Sequence, residues 1–345
     1  MKKYFPIFFT SVLLLAFSCK KSPLASFQPP PGGGIDTAFF AKGADISWLT
    51  EMEANGYTFY DSNGIQKDCM QVLKGLGLNA VRLRAWVNPS NGWCNTRDLV
   101  EKALRAKNIG FKIMIDFHYS DSWADPGKQT KPAAWSSLNF VDLQSALYNY
   151  TFHVMDTLLK NGILPEWVQI GNETNDGLLW EDGRASVNMH NFASLVNAGS
   201  QAVKAVNDST KIIVHISNGF DNNLFRWVFD GLKANAANWD IIGMSLYPST
   251  GNWSAVDDQC LTNMKDMVTR YGKKIMICEI GMDVNAPVEC RSFITDLVSK
   301  TKSLPGGAGL GVFYWEPESY NWQNYSLGAF DNTGKPTVAL RGFSN

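Results

Sequence analysis

The sequence predicts a single (β/α)8 TIM barrel, and three observations support this α/β fold class. From Ala41 onward, eight short apolar segments typical of buried strands alternate with longer segments of helical periodicity. Polar or aromatic residues end nearly all of these strands, as expected where the carboxyl ends of barrel strands surround one cleft. No glycine-rich phosphate-binding loop follows an early strand, which disfavours an open, doubly wound sheet.

The predicted strands are five to seven residues long, which is too short for stable helices. In chain order they are Gly43–Ser47, Ala80–Trp86, Lys112–His118, Trp167–Asn172, Ile212–Ser217, Ile241–Tyr247, Lys274–Glu279 and Gly311–Trp315. The apolar part of the fourth strand, Trp167–Ile170, is bounded by Pro165 and Gly171, which interrupt regular structure. This strand places an amide and a carboxylate side by side at its end, at Asn172 and Glu173.

Seven helical patterns lie between the strands. They are Gln66–Leu76, Thr96–Asn108, Phe140–Lys160, Asn191–Val206, Leu224–Asn235, Ala255–Tyr271 and Val288–Leu304. In the second of them, Thr96 is the expected N-cap and Asp98 lies in the first turn. An apolar stripe follows at Leu99, Val100, Ala103 and Leu104. Gly110 ends this segment, as glycine commonly does after a helix.

Composition narrows the class of protein. The 345 residues carry a net charge of −1, so the basic footprint of a nucleic-acid-binding protein is missing. A hydrophobic fraction of 45% is sufficient for a large core. No linker or compositional break divides Ala41–Asn345, and we therefore expect one domain there. The 12 tryptophans and 11 tyrosines would mostly pack in the core, but flat aromatic faces also stack on sugar rings.

Residues 1–18 have the composition of a signal peptide. Two lysines follow the initiator methionine, Ile7–Phe17 is apolar, and a small-residue region precedes Cys19. Because a cysteine at this position is typical of bacterial lipoproteins, we expect Cys19 to be lipidated and residues 19–40 to form the anchor and a flexible tether. Cleavage without lipidation is the alternative. The apolar stretch is too short for a transmembrane helix, so we expect an exported protein that contacts the cell envelope only through its lipid.

Five cysteines follow the predicted anchor. They are Cys69, Cys94, Cys260, Cys278 and Cys290. They are scattered and contain no CxxC pair, so the sequence predicts no zinc site. Export would permit disulfides, but their odd number leaves at least one cysteine unpaired within the chain.

The candidate functional residues are those at the strand ends, which a barrel brings to one cleft. In order they are Asp45, Arg84, His118, Asn172 with Glu173, His215, Tyr247, Glu279 and Trp315. Two carboxylates at the ends of different strands are what glycosidic bond hydrolysis requires. Taken singly, each carboxylate could open a solvated loop and each histidine could be structural. Their joint occurrence in one repeating architecture favours a catalytic cleft.

Several of these residues lie in longer motifs. The motifs, from Gly43 to Pro317, are GADISWL with FYDSNG, VRLRAWVNP, DFHYSDSWADPGKQTKPAAW, VQIGNETNDGLLW, NAGSQAVKAV, CEIGM and GVFYWEP. Through them the chain resembles glycoside hydrolase family 53, the endo-β-1,4-galactanases, within clan A of retaining (β/α)8 glycosidases. DFHYSDSWADP and GNETNDGLLW carry the family resemblance, whereas the Asn-Glu pair alone would indicate only the clan.

The resemblance implies roles for the strand-end residues. Glu173 would be the general acid/base and Glu279 the nucleophile. Asn172 would hydrogen-bond the 2-hydroxyl of the sugar in the cleaved subsite, and Tyr247 would orient the nucleophile. Arg84 would lie below Glu279 and keep that carboxylate ionised.

The resemblance also implies how the cleft holds its sugar. His118 and His215 would line the cleft, and Trp315 would form the floor on which a galactose ring stacks. Three further sugar contacts are implied at Trp86, Asp121 and Trp123. In some relatives the loop after the seventh strand binds calcium. Here that loop, Gly281–Pro287, is short and has Asp283 as its only carboxylate, so we do not expect it to bind calcium.

The expected activity is endo-acting hydrolysis of β-1,4-galactosidic bonds in galactan, the type I arabinogalactan side chains of pectin. Retention would follow from two carboxyl groups about 5–5.5 Å apart and a covalent galactosyl-enzyme. We expect a monomeric catalytic domain over residues 41–345 that needs no metal and no organic cofactor. The alternatives are another β-1,4-glycanase of the clan, a mannanase or cellulase, and a non-catalytic glycan-binding surface lipoprotein.

Overall fold

The computed structural model describes residues 1, 2 and 39–344, and residues 39–344 belong to one compact unit. Beyond its first two residues, the predicted signal peptide lies outside the described residues, as do Cys19 and the tether up to residue 38. None of the helices in the described part of the chain combines the length and apolar character needed to cross a membrane.

Eight parallel strands close into a barrel, which confirms the predicted fold. They are β1 (Ala41–Asp45), β2 (Ala80–Ala85), β3 (Lys112–Phe117), β4 (Trp167–Ile170), β5 (Lys211–Ile216), β6 (Ile241–Leu246), β7 (Lys274–Ile280) and β8 (Gly309–Trp315). The barrel closes where β8 pairs with β1, in a register that places Gly311 opposite Ala41. Each strand lies within two residues of its predicted bounds.

Helices surround the barrel. They are α1 (Leu49–Ala54), α2 (Cys69–Gly75), α3 (Thr96–Ile109), α4 (Phe140–Lys160), α5 (Ala185–Val206), α6 (Asn222–Ala234), α7 (Trp253–Tyr271) and α8 (Pro287–Lys302). The predicted cap of α3 is wrong, because the side chain of Asn95 accepts from the backbone N–H of Asp98 and Thr96 is the first helical residue. Gly110 ends this helix in a left-handed conformation, as predicted.

The sequence patterns missed several short elements. These are α1, a two-stranded hairpin of Phe59–Tyr60 and Gln66–Lys67, and 3-10 segments at Ala133–Trp135, Pro305–Gly307 and Val338–Ser344. Helix α5 also begins six residues before its predicted start, with non-helical backbone angles at Asn188. Such short elements depend on tertiary contacts, as Val338–Ser344 does on helix α8, so local periodicity carries little signal for them.

Alternation along the strands divides the barrel into an outer and an inner face. On β2, Val81, Leu83 and Ala85 pack outward in the large core beneath the helices. Ala80 belongs to a smaller apolar cluster inside the barrel, with residues such as Met114, Trp167 and Phe313. Gly43 makes room for this cluster, because a Cβ there would lie 2.1 Å from the Phe313 ring. Above the apolar cluster the barrel interior becomes polar, and that polar layer supports the site.

The five described cysteines are free and buried, so none of them forms a disulfide. Burial raises the pKa of all five thiols, which keeps them protonated. They therefore act as small apolar residues of the core.

Candidate active site

A cleft of about 530 Å³ opens at the carboxyl ends of the barrel strands. Its lining consists of Trp48, His118, Trp123, Ala124, Asp125, Asn172, Glu173, Tyr247, Glu279, Trp315, Gln323, Asn324, Tyr325 and Leu327. Both predicted catalytic carboxylates thus lie in one cavity, although 106 residues separate them in sequence. Aromatic faces surround them, and polar groups converge at the base, as in many small-molecule sites.

Glu173 is aimed into the cleft by a tight turn after β4. Gly171 and Glu173 both have left-handed backbone, with φ values of +91° and +45°. Glycine adopts this conformation without strain, whereas glutamate does so only when the surrounding structure holds it there. The Ser245 hydroxyl donates a 2.6 Å hydrogen bond to Oε1 of Glu173. Burial raises the pKa of Glu173, which favours the protonated carboxyl.

His215 supports this carboxyl from below and does not line the cleft, which corrects the expectation from the sequence. The residue is completely buried, and its Nε2 lies 2.8 Å from the Ser245 hydroxyl oxygen. Burial and the nearby Arg82 charge lower the pKa of His215 well below its ordinary value. The neutral His215 ring therefore donates from Nε2 to the Ser245 hydroxyl oxygen, and the hydroxyl hydrogen of Ser245 points to Glu173. This tautomer of His215 is assigned from the hydrogen-bond pattern.

Glu279 is the penultimate residue of β7, and its carboxylate lies against a cation and a phenol. Its Oε1 forms a 2.8 Å ion pair with Arg82, and its Oε2 accepts a 2.8 Å hydrogen bond from the Tyr247 hydroxyl. Burial raises the pKa of Glu279, and the Arg82 charge opposes that effect. Because Arg82 and Tyr247 stabilise an anion here, we assign the negative charge to Glu279 and the proton to Glu173.

Arg82, and not Arg84, is the arginine below Glu279, so the sequence-based assignment of Arg84 is wrong. All three nitrogens of the Arg82 guanidinium have partners: Gln169 at 2.7 Å, Asp45 at 2.6 Å, and Asp116, Asn172 and Glu279 at 2.8 Å each. The two arginines lie two residues apart on β2 and point to the same side of the strand. Sequence alternation alone therefore does not separate their roles.

Arg84 instead lies beneath the aromatic wall. Its Nη1 pairs with Oε1 of Glu316 at 3.2 Å, and its guanidinium carbon lies 4.1 Å from the ring centre of Trp123 and 4.9 Å from that of Trp86. Glu318 is fully buried beside Glu316, and neither of its carboxyl oxygens has a hydrogen-bond partner among the described residues. Burial raises the pKa of Glu316, and burial together with the neighbouring Glu316 charge raises the pKa of Glu318. Arg84, Glu316 and Glu318 thus form a buried charged cluster behind the cleft.

The aromatic residues of the cleft pack against one another. The Trp315 ring lies 5.0 Å from that of Trp48, 5.8 Å from Trp123 and 4.8 Å from Tyr325, measured between centroids. Trp315 and Trp123 line the cleft, as the family resemblance implied. Trp86 is absent from the lining and packs edge-on against Trp123, with 5.1 Å between the ring centroids. The interlocked rings form a rigid apolar wall suited to a sugar ring.

Three further predicted site residues, His118, Asp45 and Asp121, occupy different places relative to the cleft. His118 reaches the cleft, but its Nδ1 accepts from the Ala124 N–H and its Nε2 contacts Asp116, so neither nitrogen is free. Asp45 is fully buried under the cleft and holds Arg82. Asp121 is wrong as a sugar contact, because it lies outside the cleft lining. Its carboxylate accepts from two backbone N–H groups and joins the loops after β2 and β3.

Sequence reasoning missed a second polar layer. Arg82, Asp116 and Ser245 each lie two positions before a predicted strand-end residue, namely Arg84, His118 and Tyr247. Because side chains two apart on a strand share a face, the pattern contained the signal for these three residues. The wall residues Gln323, Asn324, Tyr325 and Leu327 carried no such signal, since they come from the irregular segment after β8.

Across the described residues, no group of three or more histidine, cysteine, aspartate or glutamate side chains is arranged to hold a metal ion. Three carboxylates of the site, Asp45, Asp116 and Glu279, converge on the guanidinium of Arg82. The fixed positive charge beneath the cleft is therefore supplied by an arginine side chain.

A (β/α)8 barrel with two carboxyl groups in one cleft, one poised to carry a proton and the other a charge, defines a glycoside hydrolase. Comparison with known proteins gives the same class. The model of glycosyl hydrolase family 53 matches residues 41–341, and the chain belongs to that family.

Similar proteins extend over nearly the same length. An uncharacterized protein of Niallia circulans, from the bgaB 5′ region, is 37% identical over 87% of this chain and 89% of its own. A probable arabinogalactan endo-β-1,4-galactanase A of Neosartorya fischeri is 36% identical over 84% of this chain and 86% of its own. The structure of a fungal β-1,4-galactanase matches with a TM-score of 0.83 and 31% identity, over 89% of this chain and 100% of that chain.

Proposed function

We propose that this glycoside hydrolase is an endo-acting β-1,4-galactanase that cuts the galactan side chains of type I arabinogalactan in pectin, with retention of configuration. Its relatives in Neosartorya fischeri and Humicola insolens, a probable and a named arabinogalactan endo-β-1,4-galactanase, support this substrate. The open cleft, with aromatic residues on its wall, is consistent with binding within a polysaccharide chain.

One observation carries the proposal, namely the different surroundings of the two carboxyl groups. Glu173 is buried and bonded only to a neutral hydroxyl on Oε1, which favours the protonated acid. Glu279 receives a guanidinium on one oxygen and a phenol on the other, which favours the anion. A pair of carboxyl groups with opposite protonation is the requirement for acid and nucleophile in glycoside hydrolysis.

In the first step, the Glu279 carboxylate attacks the anomeric carbon of the bound galactose. The bond to the leaving O4 oxygen breaks, and Glu173 donates its proton to that oxygen. The products are a covalent galactosyl-enzyme ester at Glu279 and an ionised Glu173. Glu279 loses its negative charge when the ester forms. Arg82 remains paired with Asp45 and Asp116, so it does not need to move.

In the second step, the Glu173 carboxylate takes a proton from a water molecule. The water oxygen attacks the anomeric carbon, and the ester bond to Glu279 breaks with return of the electron pair to the carboxylate. Arg82 and Tyr247 stabilise this leaving carboxylate as its charge returns. Two inversions at the anomeric carbon give net retention, and both carboxyl groups recover their starting protonation.

Substrate binding relies on stacking and a small number of hydrogen bonds. Trp315 and Trp123 offer their faces to the sugar rings. Asn172 uses Oδ1 to accept from Arg82 and one Nδ2 hydrogen to bond the Ala124 carbonyl. Because an amide nitrogen has two hydrogens, the second can donate to the sugar 2-hydroxyl in the cleaved subsite.

The proposed activity is tested on linear β-1,4-galactan, with mannan and a soluble cellulose derivative beside it. We expect the wild type to release mixed short oligosaccharides early from galactan only. Glu173→Gln and Glu279→Gln should each lower kcat by several orders of magnitude while the thermal unfolding midpoint stays close to wild type. Release from mannan or cellulose instead would reassign the substrate, and binding without release would indicate a non-catalytic glycan-binding protein.

The cellular location is a separate part of the proposal. We propose export followed by cleavage before Cys19, lipid attachment to that cysteine and a monomeric enzyme held at the cell envelope or surface. The signal-like composition of residues 1–18 supports it. Mass spectrometry of the native protein should find a lipid-modified N-terminus at Cys19, and a free amine at another residue would reject the anchor.

A further inference from the structure

A second depression, of about 640 Å³, lies outside the catalytic cleft. It is formed by helix α1, the loop after β2 and the beginning of α3, and its lining consists of Thr50, Glu53, Ala54, Asn91, Gly92, Trp93, Asn95, Arg97, Asp98 and Glu101. None of these residues takes part in the catalytic arrangement described above. The depression is larger than the catalytic cleft, at about 640 Å³ against about 530 Å³.

Trp93 is the distinctive residue of this depression. It is only partly buried and belongs to neither of the hydrophobic clusters of the described structure. Within the described residues its ring contacts no other aromatic ring and no cation, and its indole N–H has no hydrogen-bond partner. Tryptophans of the cleft wall behave differently, since Trp48 alone contacts three other aromatic rings. Trp93 therefore gives the depression a partly exposed indole ring that has no aromatic or cationic partner among the described residues.

The polar groups around Trp93 divide into fixed and available ones. Glu53 is held by Arg105 through two contacts of 2.7 and 2.9 Å, and Asp98 is held by Lys102 at 2.6 Å. Arg97 and Glu101, by contrast, have no ion pair or hydrogen bond among the described side chains. One is a donor and the other an acceptor, so the free groups of the rim carry no net charge. Such a rim suits a neutral ligand rich in hydroxyl groups better than an anion.

The depression lies beside the catalytic cleft. The loop that carries Trp93 follows the carboxyl end of β2 and therefore lies on the face of the barrel that holds the cleft. Trp48 lines the cleft, and Thr50, two residues further along the chain, lines the depression. A polysaccharide chain long enough to pass the start of α1 can reach both, whereas a short oligosaccharide fills only one of them.

We propose that the Trp93 depression is an accessory binding site for a galactan chain whose distant residues lie outside the catalytic cleft. The apolar C–H face of a galactose ring stacks on Trp93, and Arg97 and Glu101 bond its hydroxyl groups. This inference rests on the proposed function, because the ligand is the same polymer that the cleft cleaves. The site raises the affinity for long chains and leaves the chemistry unchanged.

The test compares Trp93→Ala with wild type on two substrates, polymeric β-1,4-galactan and β-1,4-galactotriose. For the polymer we expect KM to rise about five- to tenfold, the loss that one aromatic stacking contact produces. For the trisaccharide we expect kcat and KM within about twofold of wild type, because a substrate that fills only the catalytic cleft does not stack on Trp93. Trp227→Ala is the matched control, because Trp227 is 43% exposed on α6 and lines neither the catalytic cleft nor the depression.

The kinetic outcomes are decisive in both directions. A rise in KM for the polymer alone, absent in Trp227→Ala, supports the accessory site. An equal rise for both substrates would place the effect of Trp93 in the catalytic cleft and overturn the proposal. Unchanged kinetics on both substrates would also overturn it, provided that thermal unfolding shows Trp93→Ala to be folded.

Binding without turnover separates this inference from the proposed activity. Glu173→Gln and the double variant Glu173→Gln/Trp93→Ala are run in native gels that contain galactan or mannan. Retardation of the single variant by galactan, reduced in the double variant, supports the site even if the wild type cleaves no galactan and the proposed function fails. Equal retardation of both variants by galactan would overturn the site. If the double variant were retarded less than the single variant in mannan gels but not in galactan gels, galactan would be overturned as the ligand.

Discussion

Arg82 and Arg84 leave strand β2 on the same side, yet their guanidinium groups have opposite kinds of surroundings. Arg82 bonds three carboxylates and two amides, with every nitrogen satisfied. Arg84 has one hydrogen-bonded carboxylate, Glu316, and its Nε and Nη2 find no hydrogen-bond partner in the described structure. Its remaining surface is covered by tryptophan rings.

The difference shows how one strand can serve two needs of a sugar cleft. A fully hydrogen-bonded guanidinium is a fixed charge in a fixed direction, which suits the stabilisation of Glu279. A guanidinium covered by aromatic faces orients those rings through cation–π attraction while bonding little else. Arg82 therefore acts on the reacting carboxylate, and Arg84 acts on the wall that holds the sugar.

Replacing Arg82 should have the largest effect. Arg82→Lys keeps a charge but loses the planar set of donors that reaches Asp45, Asp116 and Glu279 together. We expect kcat to fall by roughly a hundred- to a thousandfold, as for the loss of a preorganised electrostatic group. Steady-state kinetics on galactan measures this, with circular dichroism to verify the fold. A kcat within threefold of wild type would mean that Arg82 does not control Glu279.

Tyr247→Phe should have an intermediate effect. It separates the contribution of the Tyr247 hydrogen bond, which orients Glu279, from that of the Arg82 charge. It removes the hydrogen bond to Oε2 of Glu279 and leaves the Arg82 ion pair on Oε1 in place. A hydrogen bond to a charged group contributes about 1.5–3 kcal/mol, so kcat should fall roughly ten- to a hundredfold. Unchanged kcat in this variant would show that the Arg82 contact alone positions the nucleophile.

Arg84→Met should act mainly on binding. Loss of the cation beneath Trp123 loosens the aromatic wall, and we expect KM to rise about tenfold while kcat changes less than about threefold. Near-ultraviolet circular dichroism should change as well, because the tryptophan rings lose a fixed neighbour. A collapse of kcat similar to that of Arg82→Lys would remove the distinction between the two arginines.

The carboxyl pair behind Arg84 predicts a pH dependence of stability. Burial raises the pKa of Glu316 to about 7 from its ordinary value of 4.5, and burial also raises the pKa of Glu318. The folded state therefore holds a proton that the unfolded chain releases, so this stabilisation is present below about pH 4.5 and is lost as the pH rises through 7. The contribution is on the order of 3 kcal/mol.

Glu318→Gln tests this pair, because glutamine resembles the protonated acid at every pH. Thermal unfolding of wild type and variant should nearly coincide at pH 4.5, and the variant should become progressively more stable than wild type towards pH 8. Parallel curves over this range would show that folding does not raise the pKa of Glu318.

The sequence was sufficient for the barrel and for the outermost layer of the site. Strand periodicity and strand-end residues led directly to Glu173, Glu279 and Tyr247, since a barrel fixes where strand ends meet. The deeper layer was not predicted, because choosing Arg82 over Arg84 depends on how far a long side chain reaches. The same limit applies to His215, whose place beneath the cleft depends on the neighbouring strands.

Loop-derived features were beyond the sequence pattern for a different reason. The wall residues Gln323 and Asn324 both have left-handed backbone, with φ values of +48° and +58°, in a segment without periodicity. Trp93 lies in another such loop and was one tryptophan among 12 in the sequence. Its distinction is that its partly exposed ring stacks on no other aromatic ring of the described structure, which only the three-dimensional arrangement reveals.

The central claim is that Glu279 attacks as the anion while Glu173 supplies the proton, through a covalent galactosyl-enzyme. Proton NMR of galactan hydrolysis, recorded in the first minutes, tests it through the configuration of the new reducing ends. The β-anomer signal should appear first, and the α-anomer should grow in later by mutarotation. Initial formation of the α-anomer would mean direct attack by water and would contradict the assignment of Glu279 as the nucleophile.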